Sequence, residues 1–192
     1  RAPFYSVHAG FCFDAAPRHL GRKLTSLDRV PVEISEDVFI KNLRILADYA
    51  DEFNVAIAIE NNVLAPHNLV DGRNDLLLGV TADDLIRYME KIGRSNVSVL
   101  LDLGHLKVSS TTLNLNPHEE IKDISPFVWA VHLNENDGFD DLHGEIFMDS
   151  WFWKPLREFM GKDTVYILEA HRLQPKEILA QTRMIRTCLG NG

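Results

Sequence analysis

Five short apolar runs in this chain are each followed directly by a side chain that can bind a metal ion: His8, Glu60, Asp102, His132 and Glu169. The last four supply three carboxylates and one imidazole, an oxygen-rich ligand set that suits Mn²⁺, Mg²⁺ or Co²⁺ and also accepts Zn²⁺. Carboxylates held this close repel one another unless a dication neutralises them or some take up protons. The pattern therefore predicts one divalent-metal site that could hold any of these ions.

The runs that precede these residues have the composition of buried parallel strands. They are continuous, rich in Val, Ile and Leu, and separated by segments with helical spacing. The carboxyl ends of parallel strands lie at the same end of an α/β barrel or sheet, so the five side chains should meet there, at the mouth of one shared site. The long irregular stretches 9–34, 61–80 and 133–149 follow strands and should surround that mouth.

Helix signals occupy the segments between the strands. Thr81 and Asp84 have the spacing of a capping box, and Gly93 is placed to end that helix. Proline stands at the first helical position in two other segments, after Asn116 and after Gln174. The predicted helices begin near Ser35, Thr81, Asn116, Ser150 and Gln174.

Length and composition predict one globular domain over residues 1–192. A formal charge of −8 argues against nucleic-acid partners, and no apolar run approaches membrane length. Two cysteines fit a reducing compartment, so a cytoplasmic location is expected. Five βα units fall short of an eight-stranded barrel of about 250 residues. The chain is therefore expected to hold the later strands of a (β/α)8 TIM barrel, with the amino-terminal strands missing or truncated.

Further side chains near the predicted mouth carry chemistry of their own. His105 follows Asp102 by three residues, Asp141 and His143 form a carboxylate–imidazole pair in the loop after His132, and Arg172 follows Glu169. His105 could touch substrate or only orient a ligand, and Arg172 could pair with a neighbouring helix instead. Five residues are predicted to bind substrate: His8, His105, Asp141, His143 and Arg172.

The motifs together resemble the xylose isomerase-like barrel superfamily, which includes sugar-phosphate isomerases and epimerases and the endonuclease IV family. The resemblance covers nearly the whole chain, as barrel strands four to eight. The matching segments are Val7-His8-Ala9-Gly10, Ile59-Glu60-Asn61, Leu101-Asp102-Leu103-Gly104-His105, Val131-His132-Leu133-Asn134 and Leu168-Glu169.

By this resemblance, Glu60, Asp102, His132 and Glu169 would hold one divalent metal ion. The implied activity is isomerisation or epimerisation of a sugar or sugar phosphate through a metal-stabilised enediolate. Glu60 and Glu169 would stand on opposite faces of the substrate, one removing a proton and the other returning it. Barrels of this type often pair, so a homodimer is an expectation as well.

Two alternatives remain open. In an endonuclease IV-like zinc phosphodiesterase acting on abasic DNA, His8 would serve one zinc, Glu60 would bridge, and His105 with Asp141 and His143 would hold a third. The acidic balance and the Leu103-Gly104-His105 turn favour the sugar enzymes over this alternative. A catalytically inactive barrel used as a binding module is the other alternative, although such a module gains nothing from clustered buried carboxylates.

Overall fold

Five parallel strands form one sheet in which chain order and spatial order coincide. The computed structural model describes residues 4–14, 23–24 and 28–190. Its strands are β1 (Phe4–His8), β2 (Ala56–Glu60), β3 (Val97–Asp102), β4 (Val128–Leu133) and β5 (Val165–Leu168). Every neighbouring pair is parallel, as in consecutive units of a barrel. The predicted parallel α/β architecture is confirmed.

Helices fill the connections between the strands. They are α1 (Val32–Asp51), α2 (Ala82–Ile92), α3 (Leu103–Leu113), α4 (Pro117–Ile124), α5 (Trp153–Phe159) and α6 (Pro175–Leu189). The predicted capping box of Thr81 and Asp84 is present, and Gly93 ends α2 in the left-handed conformation. None of the helices in the described ranges combines the length and hydropathy that a membrane crossing requires.

The structure differs from the sequence prediction at two helices. Helix α1 begins at Val32, so Ser35 does not cap it but lies buried in its first turn. Helix α3 begins directly after Asp102 and was predicted only as a turn leaving the strand. The Asp102 side chain itself caps α3 by accepting a hydrogen bond from the backbone N–H of His105.

Alternation along the strands sends the metal-binding side chains to the inner face of the sheet. Ala58, Leu100 and Ala130 form a small buried cluster there, two residues before Glu60, Asp102 and His132 respectively. The intervening residues face the helices and build the main core; among them are Ile59, Leu101 and Val131, all at most 2% exposed. The site residues are therefore held by strands whose opposite face is buried in the main core.

Burial on both faces is complete for β3, is interrupted in β4 by Trp129, which is 40% exposed, and fails for the outer two strands. All six residues of β3 are buried, whereas β1 and β5 contain no fully buried residue. The sequence prediction that all five strands are buried on both faces is thus wrong for β1 and β5. These strands lie at the two ends of the sheet and have one neighbouring strand each.

A buried carboxylate joins the first two helices of the described chain. Glu36 of α1 is within 3.0 Å of the Arg87 guanidinium and also pairs with Lys91, both on α2. Burial alone would raise the pKa of Glu36, but these two cations lower it below its ordinary value. We expect Glu36→Gln to destabilise the fold by about 1–2 kcal/mol, between typical values for exposed and buried pairs.

The pH dependence of stability tests the same contact. Because the folded-state pKa is lowered, the stabilisation is present above the unfolded-state pKa, near 4.5, and is lost as the pH falls through the folded-state value. Urea unfolding should therefore show a larger difference between wild type and Glu36→Gln at pH 7 than at pH 3. Glu90→Gln, an exposed position on α2, is the matched control. An equal loss in both variants would contradict the assignment.

Candidate metal centre

The strand register places the predicted ligands side by side. His8 is paired with Glu60 across β1 and β2, and Asp102 is paired with His132 across β3 and β4. Glu169 follows directly after the last residue of β5, with its backbone N–H bonded to the carbonyl of Leu133. Four adjacent strand ends therefore present their side chains to one point.

That point is the Nδ1 atom of His132. It lies 2.8 Å from Glu169 Oε2, 3.3 Å from Glu60 Oε1 and 3.5 Å from Asp102 Oδ2. The four ligand atoms all lie within 4.8 Å of one another. Glu60 and Asp102 are buried, while the Glu169 side chain is about one-third exposed and faces the mouth.

The chemistry of these atoms fits a divalent cation. His132 Nδ1 and Glu169 Oε2 are both buried and, within the described residues, neither has a partner with hydrogen-bond geometry, although the two atoms are close. Burial would lower the pKa of His132, but Asp102, Glu169 and Glu60 raise it to about 11. A dication bound by the four side chains would neutralise the carboxylates and take the place of that proton.

Asn61 holds the carboxyl end of the neighbouring strand β3 through its last residue, Asp102. Its side-chain oxygen accepts a hydrogen bond from the Asp102 N–H at 2.7 Å, and its side-chain nitrogen donates to the Asp102 carbonyl at 3.0 Å. Its own backbone carbonyl lies 2.8 Å from His105 Nδ1. A carbonyl oxygen only accepts, so Nδ1 carries the proton. His105 Nε2 is thereby directed away from Asn61 and towards Asp141, at 3.3 Å.

A second cluster of ligand atoms adjoins the first. Asp141 lies within 3.3 Å of His105 and 3.0 Å of His143, and the three form a group that could hold a metal ion. Burial lowers the pKa of His105, but Asp102 and Asp141 outweigh it and raise that pKa to about 9. His8, Glu60 and His105 form a third such group, in which His8 is more than half exposed.

The loop that carries Asp141 and His143 is anchored at its base. Glu135 and Gly144 exchange two backbone hydrogen bonds, and Lys107 of α3 binds both the Glu135 carboxylate and the Asn136 carbonyl. His143 itself is held at a positive φ of 47°. These constraints fix the position of the loop relative to α3, and therefore relative to His105.

The two residues that follow Ala170 lie in different surroundings. His171, which received no role from the sequence, stacks on His143 with ring centroids 4.3 Å apart. Arg172 has an exposed side chain and contributes nothing to the cavity lining in the described part of the chain. Its assignment to substrate binding stays a prediction.

A cavity of about 310 Å³ opens directly above the ligand atoms. Its wall combines imidazole and carboxylate groups with apolar side chains. The lining residues are His8, Phe11, Leu24, Glu60, Asn62, Val63, His105, Asp141, His143, Glu169 and His171. Four of the five predicted substrate-binding residues are thus gathered at one cavity with two of the predicted metal ligands.

Solved structures of other proteins share this architecture. The crystal structure of a D-tagatose 3-epimerase-like protein superimposes with a TM-score of 0.68 at 18% identity, over 97% of this chain and 61% of that one. D-psicose 3-epimerase from Clostridium cellulolyticum H10 gives 0.63 at 14% identity, over 84% and 59%. The chain spans about three-fifths of the length of these structures, which confirms the prediction of a partial barrel.

Comparison of sequences agrees with the comparison of structures. An uncharacterised protein of Methanocaldococcus jannaschii is 25% identical over 101 residues, which are 53% of this chain and 31% of that protein. The family model described as the xylose isomerase-like TIM barrel matches residues 7–188. That match contains every ligand of the candidate metal centre, and the chain belongs to the family of xylose isomerase-like TIM barrels.

Proposed function

We propose that the protein is a divalent-metal-dependent isomerase or epimerase of a sugar or sugar phosphate, with Mn²⁺ as the preferred ion. The observation that carries the proposal is the convergence of Glu60, Asp102 and Glu169 on His132 Nδ1 beneath a cavity. Two similar structures bear the names D-tagatose 3-epimerase-like protein and D-psicose 3-epimerase, which supports the choice of substrate class.

The first requirement of such a reaction is an acidified substrate carbon. A divalent cation at this centre would polarise the carbonyl oxygen and the neighbouring hydroxyl oxygen of a keto-sugar, and so acidify the hydrogen on the hydroxyl-bearing carbon beside the carbonyl. Glu60, Asp102, His132 and Glu169 are the residues that would hold it. His105 Nε2, directed into the cavity by the Asn61 contact, is placed to hydrogen-bond a sugar hydroxyl.

Proton transfer is the second requirement, and two carboxylates at the cavity are available for it. Glu60 comes from β2 and Glu169 from the end of β5, so they reach the cavity from strands that are not neighbours in the sheet. Burial and the nearby Asp102 raise the pKa of Glu169 despite the opposing effect of His132. A cation bound by Glu169 would lower this pKa again, so the assignment of Glu169 as an acid or base rests on its position at the cavity. One carboxylate would remove the proton and the other would return it.

A second candidate function has an observation of its own. The group of His105, Asp141 and His143 and the group of His8, Glu60 and His105 could each hold a further metal ion. With zinc at all three groups, the centre would suit hydrolysis of a phosphodiester, as in the endonuclease alternative. The acidic net charge disfavours a nucleic-acid substrate.

Counting metal atoms separates these candidates. We expect plasma mass spectrometry of the purified protein to find about one Mn, Mg, Co or Zn atom per chain, and none in Glu60→Gln. Glu158→Gln, an exposed position on α5, should keep the wild-type count. Two or three zinc ions per chain, one of them lost in His143→Ala, would support the phosphodiesterase instead. A protein without bound metal, and with a melting temperature unmoved by Mn²⁺, would reject both in favour of a binding module.

A further inference from the structure

The fully buried Asn134 stands directly behind the candidate metal centre. It lies just beyond β4, two residues after His132, and its solvent exposure is 0%. We infer that Asn134 is a positioning residue that holds the metal-facing oxygen of Asp102. The absence of a side chain at Gly104 leaves room for the Asn134 amide. The inference rests on the metal site of the proposed function but not on the sugar chemistry.

Each oxygen of the Asp102 carboxylate receives one hydrogen bond. Oδ1 accepts from the His105 backbone N–H at 2.7 Å, and Oδ2 accepts from Asn134 Nδ2 at 2.9 Å. Oδ2 is also the oxygen that lies 3.5 Å from His132 Nδ1. Asn134 therefore contacts the one Asp102 oxygen that belongs to the ligand cluster. An ionised carboxylate only accepts hydrogen bonds, so the orientation of the Asn134 amide is fixed by Asp102.

Gly104 provides the space that this amide occupies. A Cβ atom at position 104 would overlap Asn134 Oδ1 and come within 2.8 Å of its Cγ and 2.9 Å of Asn136 Nδ2. Gly104 is the second residue of α3, has no positive φ, and therefore needs no glycine for its backbone conformation. Glycine is a poor helix former, so its presence here is explained by the close approach of Asn134.

The side-chain oxygen of Asn134 supports the same conclusion. Oδ1 is buried and has no hydrogen-bond partner in the described part of the chain. An unpaired buried oxygen is unfavourable for folding, so Asn134 is a poor choice if packing alone is required. The only hydrogen bond that its side chain makes among the described residues is the one to Asp102. Its evident benefit is to the orientation of that carboxylate.

The test is to compare metal affinity with stability in matched variants. We expect Asn134→Ala to raise the Mn²⁺ dissociation constant about 10- to 100-fold by calorimetric titration, as for other partners that orient metal ligands. Gly104→Ala should act on the same contact from the other side and weaken Mn²⁺ binding as well. Asn96→Ala removes a side-chain hydrogen bond to Ala47 at the opposite end of β3. It should lower the melting temperature of the metal-free protein but leave the dissociation constant within twofold.

The double variant Gly104→Ala/Asn134→Ala distinguishes the steric effect of the added methyl group from the loss of Asp102 orientation. With the amide gone, the added methyl group should cost less stability than it does in the wild-type background, whereas Mn²⁺ affinity should stay as low as in Asn134→Ala. If Asn134→Ala loses stability but binds Mn²⁺ like Asn96→Ala, the inference is overturned and the proposed function stands. If the wild-type protein binds Mn²⁺ but turns over no sugar, the proposed function fails and the affinity comparison still decides the inference. A wild type without affinity for Mn²⁺ or Zn²⁺ would overturn both.

Discussion

The affinity of the protein for Mn²⁺ is expected to rise about tenfold for each pH unit between pH 6 and pH 8. The three carboxylates around Nδ1 outweigh the effect of burial and raise the pKa of His132 to about 11 in the metal-free protein. The imidazole is therefore protonated throughout this range, and a metal ligand must be neutral. Each binding event then releases one proton from His132, and the dissociation constant falls tenfold as the proton concentration falls tenfold.

Calorimetry in two buffers with different ionisation enthalpies measures the number of protons released, which should be close to one at pH 7.5. The control is His132→Asn, which removes the titrating group and leaves the three carboxylates in place. This variant should bind Mn²⁺ at least about 100-fold more weakly, beyond the range for residues that only orient a ligand. Its affinity should also depend less steeply on pH. A wild-type affinity that is flat across the range would show that His132 does not bind the ion through Nδ1.

The main features of the fold could be predicted because they depend on local sequence patterns. Continuous runs of Val, Ile and Leu give the strands, and the Thr81–Asp84 capping box gives the start of α2. The positions of the predicted metal ligands follow from the same logic. Residues that end parallel strands share one edge of the sheet whatever the details of packing. The convergence of Glu60, Asp102 and His132 needed no knowledge of the tertiary structure.

Features that depend on tertiary contacts escaped prediction. Helix α3 contains glycine, valine, serines and threonines, which favour helix weakly, and seven of its eleven residues are buried, so the usual amphipathic spacing is missing. Its start is determined by the Asp102 cap, a residue whose evident role in the sequence was metal binding. The exposed faces of β1 and β5 likewise depend on their places at the ends of the sheet.

The supporting residues of the site were the hardest to foresee. Asn61 appeared in a motif only as the neighbour of Glu60, yet it bonds to the backbone of a residue 41 positions away. His171 stacks on a ring 28 residues earlier in the chain. Such contacts depend on the register between strands and on loop conformation, and a single sequence encodes neither in a local pattern. The convergence of the strand-end side chains was therefore predictable, but the residues that orient them were not.

Glu169→Gln is expected to lower kcat for a keto-sugar about 10²- to 10⁴-fold, the usual contribution of a positioned acid or base. The amide of the variant cannot accept the proton that the carboxylate would carry. The amide oxygen can still face the cation, so saturating Mn²⁺ should restore metal content but not turnover. In D₂O, Glu60 should still exchange the hydrogen that it removes, so one of the two epimers should gain deuterium without forming product. Glu158→Gln should match the wild type in every measurement. If Glu169→Gln keeps its activity once metal is restored, Glu169 is a ligand alone and the second proton carrier must be sought among the imidazoles of the cavity.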